Sequence, residues 1–303
     1  MTRVIFMGTP DYAASILEAL INADDVDVVA VYTQPDKPVG RKGTLTPPVV
    51  KVLAEEANIQ VYQPSRLRDA SVVNELLAIS CDMIIVAAYG QILPKAILDH
   101  APCVNLHASI LPQYRGASPI QQSLLNNDAM SGVTAMWMDE GLDTGAIIKI
   151  ETLSIAPDEM AASLYKRLTD TAVTLTLDVI RHWDRKGVTP QDDAKATHCT
   201  KILKSDGLIA FEDAREIYNR YRAFTPWPGI YLESGLKIKV MALEEENSSG
   251  KPGIITQVDK ESIVIQCTKG SLRIMKIQAP SKQETSVVDY LNGKRIGCGH
   301  PLV

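Results

Sequence analysis

The run Asp82–Ala88, DMIIVAA, constrains the fold more than any other stretch of the sequence. It is apolar without alternation and too short for a core helix, as expected of a strand buried on both faces. Such a strand needs a sheet with layers on both sides, and its flanks supply the parts. Arg3–Met7, Val26–Tyr32, Ile59–Tyr62 and Cys103–His107 read as strands. Ala13–Ala23, Val49–Ala57, Val72–Ile79 and Pro119–Asn126 read as helices, with Ile16, Leu17 and Leu20 on one face of the first. Strand and helix in alternation predict a largely parallel sheet covered on both faces. Gly132–Met138 and Ala146–Ile155 predict two further strands, and about 160–185 a long helix.

The pattern then changes. Residues 185–205 are polar, contain Gly and Pro, and read as a linker. Ala210–Ala223 predicts a helix, and short β-rich runs follow at Lys237–Ala242, Gly253–Val258, Ser262–Cys267 and Ser271–Ile277, with a short helix at Val287–Leu291. This predicts an α/β Rossmann-like domain at 1–184, a linker at 185–205, and a small OB-like β-barrel domain at 206–303. At 303 residues and 46% hydrophobic, the chain can bury two such cores.

Charge restricts the partners. The total is −5, with 13 Lys/Arg against 22 Asp/Glu in 1–184, 5 against 2 in 185–205, and 13 against 12 in 206–303. Any nucleic-acid contact must therefore rest on local basic patches. The opening apolar run, Val4–Met7, is too short for a signal-peptide core or a membrane span. Five scattered cysteines without a C-x-x-C pair argue against a disulfide framework or a cysteine zinc site, and a cytoplasmic location is expected. Nothing calls for an obligate oligomer, so a monomer is expected.

The chemistry-bearing residues concentrate in NLHASILPQYRG, 105–116. Asn105 and His107, two apart at a strand's carboxyl end, point to one face. Ligands of open parallel sheets bind at that end. An amide could donate to a developing oxyanion and an imidazole could handle a proton, although a histidine there could equally be a structural hydrogen-bonding residue. The loop MDEGLDTGA, 138–146, could be a solvated turn or could bring a carboxylate to His107. Met7–Pro10 lacks G-x-G-x-x-G and reads as a tight structural turn rather than a dinucleotide site. Gln34–Val49 is a long unstructured insertion holding Lys37, Arg41 and Lys42, either a mobile solvated loop or a basic arm that orders on phosphate. His100, His182, His198 and His300 lack metal-ligand spacing.

Together, Asn105, His107, Ser109–Pro112, Arg115–Gly116 and Asp143 in GLDTG resemble the 10-formyltetrahydrofolate-dependent formyltransferases. The family usually has Leu where this chain has Ile110, a conservative change. Within the family, VIFMGTPDYA, the insertion QPDKPVGRKG and the tail's RAFTPWPGIYLE are most similar to members that formylate initiator methionyl-tRNA; the alternative acceptor is an amino sugar nucleotide. The resemblance implies that Asn105, His107 and Asp143 form the catalytic trio. Asn105, and His107 if protonated, would donate to the oxyanion, with Asp143 orienting His107. It implies a folate pocket lined by Ser109, Ile110, Leu111 and Pro112, and by Tyr89, Gly90, Ile92, Leu93 and Glu140, whose backbone groups would read the pterin edge. It implies tRNA contacts at Lys37, Arg41 and Lys42. Formyl transfer from an activated N10 needs an oxyanion donor, so no metal is expected, nor any membrane. A non-catalytic nucleic-acid-binding protein and a formate-releasing folate hydrolase are the remaining readings.

Overall fold

The computed structural model describes residues 1–40, 43–183 and 187–302. In chain order the elements are β1 (Thr2–Gly8), α1 (Asp11–Ile21), β2 (Val26–Tyr32), β3 (Lys37–Val39), β4 (Thr44–Thr46), α2 (Val49–Glu56), β5 (Val61–Tyr62), α3 (Ala70–Leu77), β6 (Met83–Ala87), α4 (Lys95–Leu98), β7 (Cys103–His107), β8 (Arg115–Gly116), α5 (Pro119–Leu125), β9 (Met130–Trp137), β10 (Ile147–Ser154) and α6 (Ala161–His182). There follow β11 (His198–Cys199), α7 (Ala214–Phe224), β12 (Ile230–Tyr231), β13 (Lys237–Ser249), β14 (Ile255–Val258), β15 (Ile263–Gln266), β16 (Lys269–Gln278), β17 (Thr285–Ser286) and α8 (Val287–Lys294).

Two compact units emerge. The first comprises Met1–Pro119, Met130–Ser154 and Tyr165–Cys199; the second comprises Ile120–Ala129, Ile155–Leu164 and Thr200–Val303. The first holds a seven-stranded sheet in the order β10-β9-β7-β6-β1-β2-β5. Pairings from β7 through β5 are parallel; β9 runs antiparallel to both β7 and β10. The central strands are buried on both faces, as DMIIVAA requires. Every residue of β6 is buried, and Val4–Met7 of β1 are wholly so. Alternate residues separate the faces: Ile5 and Met7 join Tyr32, Leu76, Ile84 and Tyr89 in one cluster, while Val4 and Phe6 point the other way. Each fully buried side chain of this kind contributes about 1.5–3 kcal/mol. The chain runs from β1 to β2 and β5, then returns to β6 on the other side of β1. That reversal opens a crevice at the carboxyl ends of the strands.

The insertion differs from the unstructured loop read from sequence. β3 and β4 pair as a hairpin, with Lys37 opposite Thr46 and Val39 opposite Thr44. Gly40 and Gly43 take left-handed φ values of 72° and 61°, and the Gly43 N–H donates to the Gly40 carbonyl at 3.2 Å. Glycines at the two left-handed positions let the chain reverse, a backbone property that hydrophobic periodicity does not register.

In the second unit, an antiparallel sheet runs β12-β13-β16-β15-β14, with β17 on β16. Among the described residues these pairings trace an open path from β12 to β14. Helix α7 begins at Ala214 because the Asp213 side chain accepts the N–H groups of Arg215 and Glu216, capping it later than the apolar pattern suggested. Strand β13 runs to Ser249, beyond the expected Ala242. Its charged half keeps pairing with β16 after its burial pattern fades, and Arg273 forks onto Glu244 across the two strands at 2.6 and 2.7 Å. Among the described residues no helix is long and apolar enough to cross a membrane.

Candidate active site

Strand β7 lies between β6 and β9 and delivers Asn105 and His107 to the carboxyl end of the sheet. His107 is buried and Asn105 half-buried. His107 Nε2 lies 2.8 Å from the Tyr114 carbonyl oxygen. A carbonyl only accepts, so Nε2 carries the proton and Nδ1 faces outward from that bond. Asp143 Oδ2 stands 3.6 Å from Nδ1. The same carboxylate accepts the Gly116 N–H at 2.8 Å through Oδ2 and the Asn105 amide at 3.3 Å through Oδ1. Asp143 is thus the hub that joins the amide, the imidazole and the loop at Gly116, with its side chain only 11% exposed. Both ring nitrogens of His107 face protein partners. Donation from the ring to a substrate oxygen would have to come from a protonated Nδ1, by loosening the longer of the two contacts.

Two loops make this meeting possible. In the first, His107–Gly116, Thr134 accepts the Leu111 N–H at 3.1 Å and donates to the Ser109 carbonyl at 2.6 Å, while the Ser109 hydroxyl donates to Gln113 O at 2.6 Å. Gly116 has φ +114°, and a Cβ there would sit 2.3 Å from the Cys199 carbonyl oxygen, so only glycine fits. In the second, Asp139–Gly145, Asp139 Oδ1 accepts from Gly141 N and Thr144 Oγ1. Asp143 itself is left-handed, at φ +55°. Aspartate tolerates that region better than most residues, and such conformations, costing about 1–3 kcal/mol, persist where surrounding contacts dictate them.

The pocket residues expected from sequence divide. Ser109 and Leu111 are buried, Ile110 and Pro112 half-buried. Tyr89 is a core residue: it is 2% exposed and burial pushes its hydroxyl up to about 12. Its carbonyl, expected at the pterin edge, already accepts from Gln34 Nε2 at 3.0 Å and Thr9 Oγ1 at 3.4 Å. Leu93 is also buried, whereas Ile92 is 81% exposed and Gly90 is exposed with φ +81°. Glu140 is exposed and lies 3.8 Å from Lys95, which links the segment after β6 to the loop Asp139–Gly145. Leu142 of that loop is 62% exposed. Lys37 is exposed at the start of β3; Arg41 and Lys42 lie outside the described residues.

Sequence reasoning missed the groups that brace the two loops, because they fall in the polar stretch read as a linker. Thr197 accepts the Arg115 N–H through its carbonyl and the Tyr114 N–H through its hydroxyl, both at 2.9 Å. Strand β11 pairs in parallel with β8. Gln191 bonds to Arg115, Asp143 and Gly145. The Cys199 thiol is buried under Tyr114 and Arg115; burial pushes it up and the Asp143 carboxylate adds to the shift. Only the hydrogen-bonding side chains of 189–199 and their lack of apolar periodicity could have hinted at this bracing.

A mostly parallel sheet with a donor amide, an imidazole and a carboxylate gathered at its carboxyl end fits acyl-transfer chemistry. The chain belongs to the formyl transferase family, in its methionyl-tRNA formyltransferase branch: the Formyl transferase model matches residues 2–180 and the Formyl transferase, C-terminal domain model residues 201–295. The methionyl-tRNA formyltransferase of Sulfurimonas denitrificans is 55% identical over 300 residues, covering 99% of each chain, and that of Nitratiruptor sp. is 49% identical over 98% of each. Among solved structures, an N-formyltransferase from Helicobacter canadensis in complex with folinic acid and dTDP-3-aminofucose superposes with a TM-score of 0.69 at 20% identity, over 92% of this chain and 100% of that one. That likeness is one of fold.

Proposed function

We propose that this chain transfers the formyl group of 10-formyltetrahydrofolate to the α-amino group of initiator methionyl-tRNA, using Asn105, His107 and Asp143. The observation that carries the chemistry is the carboxylate of Asp143 placed against both Asn105 and His107. Near-full-length identity of 55% to a named methionyl-tRNA formyltransferase supports the acceptor, whereas the amino-sugar alternative has likeness of fold at 20%.

The neutral amine attacks the formyl carbon, a C–N bond forms, and charge builds on the formyl oxygen. One N–H of the Asn105 amide is held by Asp143; the other is available to that oxygen. Donors aimed in advance at developing charge supply the largest share of such catalysis. The amine's proton leaves as the bond to N10 breaks and must reach that nitrogen. His107 Nδ1, with Asp143 beside it, is where the proton can rest in transit: Nε2–H stays on Tyr114 O, so a second proton at Nδ1 faces the carboxylate. Exposed Ile92 and Leu142, on segments tied by Lys95–Glu140, offer apolar surface to the flat pteridine, and Ser109–Pro112 walls the donor's side. Lys37, Arg41 and Lys42 of the sequence insertion, with basic residues of 185–205, would meet acceptor-stem phosphates.

Side-by-side transfer to methionyl-tRNA, uncharged tRNA and an amino sugar nucleotide tests this reading. Formylation of methionyl-tRNA alone is expected. Preferential labelling of the sugar nucleotide, or formate release independent of any acceptor, would overturn it.

A further inference from the structure

The stretch that reads as a linker carries one side chain, Gln191, whose N/O hydrogen bonds all converge on the two catalytic loops; its Nε2 also lies 3.8 Å from Met136 Sδ on β9. Gln191 Nε2 donates to the Asp143 carbonyl at 2.9 Å and to the Gly145 carbonyl at 2.8 Å, which uses both its N–H groups. Its Oε1 accepts from Arg115 Nε at 3.0 Å and Nη2 at 2.9 Å. The orientation of the amide follows from these partners, since carbonyls only accept and a guanidinium only donates. Arg115 is one residue before Gly116, whose N–H holds the Asp143 carboxylate. Its side chain is 5% exposed, and its other partner is the exposed carboxylate of Asp193, at 2.7 Å. One side chain therefore pins Asp143 from behind, through its own carbonyl and that of Gly145, and grips the loop that Asp143 faces.

We infer that Gln191 is a positioning residue for formyl transfer: it fixes the left-handed backbone at Asp143 so that the carboxylate meets Asn105 and His107 together. The inference rests on the reading of Asp143 as part of the catalytic trio. Its physical basis is the conformation at Asp143. A φ of +55° at a residue other than glycine needs outside contacts to hold it. Gln191 supplies these at the peptide that follows Asp143. Without the two donors that peptide can rotate, and the carboxylate swings with it. Gln191 touches no reacting atom, so its loss shows in the rate through Asp143 and not in acceptor binding. A misplacement of about 1 Å at a reacting centre can cost about a hundredfold in rate.

The test is a double-mutant cycle on single-turnover formyl transfer to methionyl-tRNA. Gln191→Met keeps length and volume but removes every bond. Gln191→Glu keeps an acceptor for Arg115 but cannot donate to the carbonyls, so it isolates the clamp on the Asp143 loop. Each is expected to lower the rate roughly 10- to 100-fold with the KM for methionyl-tRNA within about twofold. In an Asp143→Asn background the same changes should cost less than about threefold, because the group being positioned is already gone. A purely structural role would lower Tm and rate alike in both backgrounds. Equal losses in the two backgrounds, or parental rates for both Gln191 variants, would overturn the inference while leaving the trio intact. An Asp143→Asn protein with the parental rate would instead sink the trio. Should Gln191→Met fail to fold, Gln191→Glu carries the same cycle with the same opposing outcomes.

Discussion

The two loops that meet at Asp143 and the hairpin at Lys37–Thr46 both carry candidate functional residues, and they are built in opposite ways. In the loops the polar side chains are buried and interlocked. His107, Ser109 and Arg115 are nearly inaccessible, and the carboxylate of Asp143 is shared among an amide, an imidazole and a backbone N–H. Every residue of the two hairpin strands is exposed. Its side-chain anchorage lies at its base, where Asp36 accepts from Lys51 at 3.0 and 3.1 Å and from Gln63 at 2.7 Å, and Gln63 also donates to Gln34 O. Chemistry on a carbonyl carbon needs groups fixed before the substrate arrives, whereas a phosphate-tracking arm needs reach and charge. The lesson is that the two regions should fail differently. Damage to the loops should appear in the chemical rate, and damage to the hairpin in use of the tRNA.

The largest effect is expected from Asn105→Ala, which removes the amide proposed to donate to the formyl oxygen. Single-turnover transfer should fall roughly 10²- to 10³-fold, with the KM for methionyl-tRNA and the Tm little changed. A rate within about threefold of the parent would remove Asn105 from the oxyanion role. Next comes Asp143→Ala, for which a loss of about a hundredfold in rate is expected with folate binding retained, read by titration of the donor. If that substitution raised the KM for tRNA and spared the rate, the contrast between loops and hairpin would break at its centre.

Arg41→Ala should act in the opposite sense. Donor binding and the rate at saturating tRNA should hold, while kcat/KM for methionyl-tRNA falls roughly fivefold, an exposed charge contact being worth about 1 kcal/mol. The plot of log affinity against log salt should flatten by about 0.7–0.9 for each lost phosphate contact. Equal use of tRNA by variant and parent would count against the arm.

The smallest effect concerns the hairpin's base. Hydrogen bonds from Gln63 and Lys51 hold the Asp36 carboxyl below its ordinary value of 3.8. A carboxyl with a lowered folded-state value adds stability that is complete above the unfolded value and is lost as pH falls through the folded one. Protease nicking between β3 and β4 should therefore be constant from neutral pH down to about 5 and rise only below about 4 with an acid-active protease. Asp36→Asn should show the low-pH nicking rate already at neutral pH and no step below 4. A parental profile in that variant would mean the anchorage lies elsewhere.

How much of this was legible in the sequence follows the same division. Strands Val26–Tyr32 and Cys103–His107 were readable to the residue, because β-branched and apolar residues dominate both short runs. Asn105 and His107 could be placed on one face by their spacing, and the approach of Asp143 followed from a family resemblance. The hairpin escaped because its strands bury nothing, so no periodicity marks them. The Tyr89 side chain packs in the core and its carbonyl accepts from Gln34, 55 positions away, a contact no local pattern shows. Gln191 was invisible for a related reason: its bonds reach 48 and 76 residues back along the chain. A glutamine in a polar stretch gives no local sign of such partners.

The central proposal is that one carboxylate, placed against an amide and an imidazole, organises formyl transfer to methionyl-tRNA. The most direct measurement is the single-turnover rate at which label passes from 10-formyltetrahydrofolate to methionyl-tRNA in the parent, Asn105→Ala, Asp143→Ala and the double variant. The account expects rapid labelling by the parent, a deep loss in each single variant, and a double variant little worse than the poorer single. Parental labelling by Asp143→Ala, or losses that simply multiply, would contradict it.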